Sequence, residues 1–182
     1  MIDRAVGLAI GWWVEMQTTI HLPYTHSCFV CGADNPAGLR LRFRFEHGEM
    51  RADFTPRVEH AGYKGMVHGG IVATALDEAM FWAAAYATRQ FQVSVEMNVR
   101  WSRKVEAGRR YLIGARHDRE QRKFCFTEAE LRAADGQVCA RATGKYFPMR
   151  PEDVPLALED FFSDPATMSP QEFLPRGHTV DR

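Results

Sequence analysis

Residues 68–78 combine groups that could act on a carbonyl. Gly69 and Gly70 directly follow His68, where a stretch rich in Ala, Leu and Met begins. The N-terminus of a helix exposes unpaired N–H groups and a partial positive charge, which would stabilise a developing oxyanion. Glycine also lets a ligand approach the backbone closely. A plain helix start packed against a sheet is the alternative interpretation, and the pattern alone leaves both open.

Asp77 and Glu78 lie in the middle of this apolar stretch, where a charge is costly unless it is paired or functional. A carboxylate there could act as a general base on water or attack a carbonyl carbon directly. On a helix the two side chains point about 100° apart, so one pocket cannot receive both equally. A structural salt bridge is the alternative role for either residue.

Gly70 and Asp77 are too far apart along one helix to contact the same reacting carbon. Their spacing corresponds to about 10 Å at ~1.5 Å per residue. A site that uses both groups would close more easily if a second copy of the chain supplied one of them. Two equivalent sites in a symmetric pair would follow.

The composition excludes several classes of protein. The chain has 182 residues, 46% of them hydrophobic, and 23 basic side chains balance 23 acidic ones. These values are typical of a globular protein and argue against a disordered chain or a dedicated nucleic-acid binder. No apolar run approaches the ~20 residues that a membrane span needs, so no membrane partner is expected.

The four cysteines do not resemble a disulfide framework. Cys28 and Cys31 form a CxxC, but no second CxxC or HxxxH completes four zinc ligands, and a turn-forming sequence follows. Cys125 and Cys139 lie singly in strand-like runs. We therefore expect reduced structural cysteines rather than metal or redox chemistry, and we predict no metal site and no cofactor.

The N-terminus carries an apolar stretch over residues 5–14 that resembles the hydrophobic part of a signal peptide. Asp3 offsets the positive charge of Arg4, and no convincing cleavage site follows. The alternatives to a signal peptide are a docked N-terminal helix and a natural start at Met16. We expect a cytoplasmic protein.

Local patterns predict a long helix between runs of strands. Residues 39–46 alternate strictly between apolar and charged side chains, which is typical of a half-buried strand. Residues 70–88 predict a largely buried helix. His47-Gly48 predicts a turn, residues 118–122 predict a joint between two strands, and Asp135-Gly136 is a strong hairpin signal. The predicted strands cover 39–46, 49–54, 91–101, 110–117, 123–133 and 137–147.

This order predicts an α+β fold, one antiparallel sheet wrapped around one long central helix. We assign residues 26–149 to this domain and residues 1–25 to an N-terminal extension. Residues 150–182 contain many prolines and are assigned to a C-terminal tail with one short helix near 156–162.

With this order of elements, four segments resemble the hotdog-fold acyl-CoA thioesterases, in the subgroup related to phenylacetate-pathway and 4-hydroxybenzoyl-CoA thioesterases. They are HGGIVATALDEAM at 68–80, VSVEMNV at 93–99, DGQVCARATGKY at 135–146 and CFVCGADNPAGLRLRF at 28–43. The resemblance implies hydrolysis of an acyl-CoA thioester by a homodimer. Each site would combine glycine N–H groups from one subunit with an acid from the other, and dimers could pair into a homotetramer.

The resemblance also implies roles for single residues. Asp77 would be the catalytic carboxylate, acting as base or nucleophile, and Glu78 is interpreted as a solvent or interface residue. His68 would hold the loop or bind the substrate carbonyl, and Ser94 would help to hold the hydrolytic water. Basic residues near the turn 101–110 would meet the CoA phosphates: Arg100, Arg103, Lys104 and Arg109.

One position departs from the family pattern. Many relatives carry Asn or Gln upstream of His-Gly-Gly, whereas this chain has Gly62 in the stretch HAGY. His60 or Tyr63 could substitute in contacting the substrate. The departure keeps a non-catalytic acyl-CoA-binding module open as an alternative, and a hotdog hydratase is a third.

Overall fold

The computed structural model describes residues 19–174, which form one antiparallel sheet and a long helix packed against it. The seven strands of the sheet are β1 (Ile20–His21), β2 (Arg44–Glu46), β3 (Glu49–Phe54), β6 (Gln92–Trp101), β7 (Tyr111–Gln121), β8 (Phe124–Ala133) and β9 (Val138–Pro148). They are arranged in the order β1-β2-β3-β7-β8-β9-β6. The remaining elements are a small hairpin of β4 (Ala61–Tyr63) and β5 (Met66–Val67), the helices α1 (Gly69–Thr88) and α2 (Val154–Glu159), and two short 3-10 helices (Val58–His60 and Pro170–Phe173). The predicted α+β architecture is confirmed.

Helix α1 is the centre of the core. Ala75, Ala79, Ala84 and Ala85 are almost completely buried, as are Leu76, Met80 and Trp82, in agreement with the apolar sequence. The helix contacts β3, β6, β7, β8 and β9. It ends at Arg89, whose left-handed φ of 56° stops the helical hydrogen bonding.

The strand predicted over residues 39–46 is only partly regular. Leu39, Leu41 and Phe43 are buried, so the predicted alternation of faces is correct. Ladder pairing begins only at Arg44, however, since Arg40 adopts a left-handed φ of 58° that interrupts the strand. The preceding stretch is held instead by hydrogen bonds from the Leu39 and Leu41 N–H groups to the carbonyls of Phe29 and Val30.

Two hairpins were predicted correctly, and a third was misplaced. His47-Gly48, with positive φ at both residues, connects β2 and β3, and the turn at Asp135-Gly136 connects β8 and β9. The turn expected over 118–122 lies later, because β7 continues to Gln121 and Arg122 takes the left-handed conformation.

The last part of the described chain packs on the core. Helix α2 begins two residues before the short helix expected near 156–162. Phe173 is fully buried, with its ring centroid 5.5 Å from that of Trp82 and 5.7 Å from that of Phe91. This packing extends the core beyond the predicted domain end at 149.

Within residues 19–174, neither helix combines the length and apolar character of a membrane span. The apolar stretch at 5–14 lies outside the described residues.

The buried ring of Phe173 predicts a stability effect. We expect Phe173→Ala to lower the free energy of unfolding by about 3–5 kcal/mol, because the cavity would open against Trp82 and Phe91. Leu156 in α2, which is 73% exposed, provides the control, and Leu156→Ala should change stability by no more than about 0.5 kcal/mol. Urea unfolding of both variants measures this difference; equal effects would contradict the packing role of Phe173.

Candidate functional site

The start of helix α1 is capped by His68. The Gly70 N–H donates to His68 Nδ1 at 2.9 Å. A neutral imidazole that accepts at Nδ1 carries its proton on Nε2, and the exposed side chain therefore offers an N–H donor. Among residues 19–174, the Gly69 N–H has no hydrogen-bond partner.

Trp101 covers the first glycine of the helix. Its indole Nε1–H donates to the Gly69 carbonyl at 3.3 Å, and the ring lies 3.4 Å from the position that a Cβ on Gly69 would occupy. The two residues line a cleft of about 370 Å³ together with Met66, Val67, Val72, Ser102, Arg103, Lys104 and Val105. The sequence analysis missed Trp101, since nothing in the local pattern distinguishes it from an ordinary strand residue.

Gly62 is glycine because His68 occupies the adjacent space. A Cβ at this position would lie 3.1–3.3 Å from the Cα, Cβ and Cδ2 atoms of His68. An Asn or Gln side chain here would require His68 to move. The departure from the family pattern is thus coupled to the position of the histidine.

Asp77 is held by a tyrosine from the sheet. Tyr146 Oη donates to Asp77 Oδ1 at 2.7 Å and lies 3.0 Å from the Asp77 carbonyl oxygen. Tyr146 is fully buried, and burial together with the Asp77 carboxylate raises the pKa of its hydroxyl. Ser94 pairs with Tyr146 across β6 and β9, so the predicted serine lies beside this pair.

Sequence reasoning missed Tyr146 as the partner of Asp77. Asp77 and Tyr146 are 69 positions apart. The one local signal for this role is the hydroxyl that Tyr146 carries at a buried position of β9, and that signal is weak in a single sequence.

Glu78 faces the cysteine segment of its own chain and not the solvent, which was one of its two predicted environments. Its carboxylate turns inward, where both oxygens lie 4.0 Å from Cys28 Sγ. Burial raises the pKa of Glu78 to about 8, and the neighbouring Cys28 and Asp77 add to the effect. The sulfur of Cys28 accepts hydrogen bonds from Cys31 and from nearby backbone N–H groups, which lower its pKa to about 6.

The two other residues expected to contact substrate occupy different environments. His60 is buried, and its Nδ1 accepts the Arg57 N–H at 3.1 Å. Its carbonyl accepts the His68 N–H at 2.8 Å, a position that favours a structural role. Tyr63, at the tip of the β4–β5 hairpin, is 76% exposed.

The predicted basic residues are exposed but do not form one cluster. Arg103 and Lys104 line the cleft beside Gly69. Arg109 instead pairs with Glu106 at 2.6 Å, and Lys104 also contacts this carboxylate. Arg100 lies on β6 opposite Arg141 and does not line the cleft.

The capping role of His68 predicts a matched pair of stability effects. His68→Ala should lower the free energy of unfolding by about 1 kcal/mol, because the Gly70 N–H loses its acceptor. His68→Asn should retain most of the stability, since asparagine supplies an equivalent cap. Denaturant unfolding measures both values, and an equal loss in the two variants would contradict the capping role.

Comparison with known proteins supports the fold and shows which family the middle of the chain resembles. Residues 64–140 match the sequence model of the thioesterase superfamily. The crystal structure of a thioesterase superfamily protein superimposes with a TM-score of 0.63 and 23% identity, over 68% of this chain and 60% of that one. A Streptococcus mutans protein bound to acetyl-CoA has a TM-score of 0.54 and 21% identity, over 58% of this chain and 84% of that one.

A curated relative matches over a shorter region. An uncharacterized protein of Schizosaccharomyces pombe is 29% identical over 96 residues, which are 50% of this chain and 55% of that protein. The match thus spans about half the length of the relative. Taken together, the comparisons show a hotdog fold, and residues 64–140 resemble the thioesterase superfamily.

Proposed function

We propose that this protein hydrolyses an acyl-CoA thioester to the free acid and CoA. The hydrogen bond between Tyr146 Oη and Asp77 Oδ1 carries the proposal, because it orients a carboxylate in the middle of a largely buried helix. A hydroxyl donor stabilises the ionised form that a base or nucleophile needs. The acetyl-CoA held by the Streptococcus mutans protein of the same fold supports the substrate class.

Asp77 can promote hydrolysis in two ways that the geometry leaves open. As a general base it takes a proton from a water molecule, whose oxygen then bonds to the carbonyl carbon. As a nucleophile it forms a mixed anhydride that water later hydrolyses. Either way the carbon–sulfur bond breaks and the CoA sulfur leaves as a thiolate that takes up a proton. Ser94, next to Tyr146, is suited to hold the water.

The donors at the helix start suit the oxygen of the thioester. The Gly69 N–H and the His68 Nε2–H are available to stabilise the negative charge that develops there. The Gly70 N–H, in contrast, is already engaged by His68 Nδ1. We therefore assign Gly70 to positioning His68, and Gly69 and His68 to the oxyanion.

The cleft beside Gly69 suits the coenzyme. Arg103 and Lys104 line its edge, and cationic side chains form charge-assisted hydrogen bonds with phosphate. Arg109 does not line the cleft and, like Lys104, is already paired with Glu106, so it is a weaker candidate. The exposed ring of Tyr63 stays a candidate for contact with substrate or with a second subunit.

A second copy of the chain would complete the site. The Gly69 N–H and the Asp77 carboxylate are separated by more than two helical turns, too far for one reacting carbon. Strand β6 lies at the edge of the sheet and presents an unpaired backbone together with exposed Val93 and Val95. Such an edge is a template for pairing with another chain. A homodimer joined along β6 is our proposal, and further pairing into tetramers stays a prediction.

The catalytic role of Asp77 has a graded test. Asp77→Asn should lower kcat by about 10²–10⁴-fold, because the amide can neither accept a proton nor attack. Tyr146→Phe should lower kcat about tenfold, the equivalent of roughly 1.4 kcal/mol, with little change in KM, since it disorients the carboxylate without removing it. Free-thiol release from short, long and aromatic acyl-CoAs measures both effects.

Glu159→Gln, a change on the exposed end of α2, is the matched control and should leave turnover unchanged. Full activity in Asp77→Asn would refute the proposed mechanism. Wild-type protein that binds acyl-CoA but releases no thiol would favour the acyl-CoA-binding module instead.

The dimer makes a separate prediction. Val95→Lys places a charge on the exposed edge of β6 and should yield monomers with little turnover, because unfavourable burial of the ammonium would oppose pairing. Val58→Lys, at a residue of a 3-10 helix that is 73% exposed, should change neither property. Sedimentation velocity measures the assembly state. A Val95→Lys variant that remains dimeric would contradict an interface along β6.

A further inference from the structure

Three side chains with metal-binding atoms meet on the face of helix α1 next to Asp77. Cys28 and Cys31 come from the segment that precedes β2, and Glu78 comes from the helix. One sulfur from each cysteine and one carboxylate oxygen all lie within 4.8 Å of one another. Cys28 and Glu78 are 50 positions apart, so only the fold brings the three together.

The turn between the cysteines is shaped around the sulfur of Cys28. The N–H groups of Val30 and Cys31 point towards Cys28 Sγ, with N···S distances of 3.2 and 3.5 Å. Such bonds favour a thiolate, the form that binds metal. The Gly32 N–H closes the turn on the Cys28 carbonyl at 2.9 Å.

Glycine is required at the end of this turn. A Cβ at Gly32 would lie 2.3 Å from the Cys28 carbonyl oxygen and 2.8 Å from its nitrogen. Any other residue would therefore open the turn and move the cysteines. The sequence CFVCG thus specifies a tight turn that directs both sulfurs to the same side.

Among the residues that the structure describes, no cationic side chain pairs with any of these three groups. Across residues 19–174, no Lys, Arg or His side chain forms an ion pair with Glu78, and the charged groups that act on it are Cys28 and Asp77. Arg42 approaches Cys31 but donates to the carbonyls of Cys31 and Leu41. Burial without a counter-charge disfavours the ionised forms of these groups, and a cation that displaces their protons would stabilise those forms.

We propose that Cys28, Cys31 and Glu78 bind a thiophilic divalent cation of the zinc class. Two thiolates and one carboxylate form a donor set that suits zinc, with water as the fourth ligand. Zinc–sulfur bonds of about 2.3 Å place two tetrahedral sulfurs roughly 3.8 Å apart, so the observed cluster needs only small movements to close on an ion.

The site would attach the segment before β2 to the centre of helix α1. Ion binding would hold Glu78 in place, and Glu78 is the residue after Asp77. The ion would thereby stabilise the fold near the proposed catalytic carboxylate without taking part in hydrolysis. A ligand that binds only the folded chain raises its apparent stability, so the melting temperature should rise when zinc is added.

Cobalt titration of the full-length protein tests the proposal. Reduced protein stripped with a chelator should bind one Co²⁺ per chain, with the visible and near-ultraviolet absorption of a tetrahedral cobalt–thiolate site, and Zn²⁺ should displace it. Cys28→Ser and Glu78→Gln should weaken Co²⁺ binding by at least about tenfold. Cys139→Ser removes a buried cysteine of β9 and should bind as the wild type does.

Alkylation of the wild-type chain gives a second measurement that does not depend on folding of the variants. Zinc should protect Cys28 and Cys31 from iodoacetamide, as mapped by peptide mass spectrometry. The absence of both protection and cobalt–thiolate absorption would overturn the proposal. A Cys28–Cys31 disulfide in the purified protein, with no metal bound after reduction, would also overturn it in favour of a redox pair. These readouts are independent of thioester hydrolysis, so either proposal can fail alone.

Discussion

Helix α1 carries two adjacent carboxylates into the core of the protein, and each requires a polar partner there. Asp77 obtains its partner from the sheet, through the hydroxyl of Tyr146. Glu78 faces the cysteine turn of the segment before β2. Because neighbouring residues on a helix point about 100° apart, one short sequence serves two different environments. The helix therefore packs with Asp77 against Tyr146 of the sheet and with Glu78 against Cys28 of the cysteine turn.

The start of the same helix shows how closely packed neighbours determine a site. His68 caps the helix through Nδ1, and this bond leaves its other nitrogen as a donor. Gly62 leaves room for His68, and Gly69 leaves room for the indole of Trp101. The glycines are therefore explained by the side chains that approach them as much as by a ligand. One consequence is that the two N–H groups have different roles: the Gly70 N–H is capped by His68, whereas the Gly69 N–H is free among the described residues.

The proposed hydrolytic site and the proposed metal site would share the middle of α1 while drawing on different parts of the chain. The hydrolytic site uses the helix start, the sheet and the edge strand β6, and it depends on a second subunit. The metal site uses the cysteine turn and lies within one chain. A change at Glu78 would thus test the metal site within one chain, whereas a change on β6 would test assembly. Because Asp77 and Glu78 are adjacent on the helix, loss of the ion would also change the position of the Asp77 backbone.

The sequence alone determined the features that depend on neighbouring residues. The apolar composition of 70–88 predicted the helix, His47-Gly48 and Asp135-Gly136 predicted two hairpins, and the alternation from Leu39 to Phe43 correctly assigned the buried face. The family resemblance directed attention to Asp77. These signals are local, since helix propensity, turn conformation and side-chain period act over a few residues. Only the tertiary structure revealed that Tyr146 holds Asp77, that Trp101 covers Gly69 and that Glu78 faces Cys28, because these contacts join residues 32–69 positions apart. They depend on the register of the strands and on which helix face meets which segment, and no local pattern in one sequence encodes either.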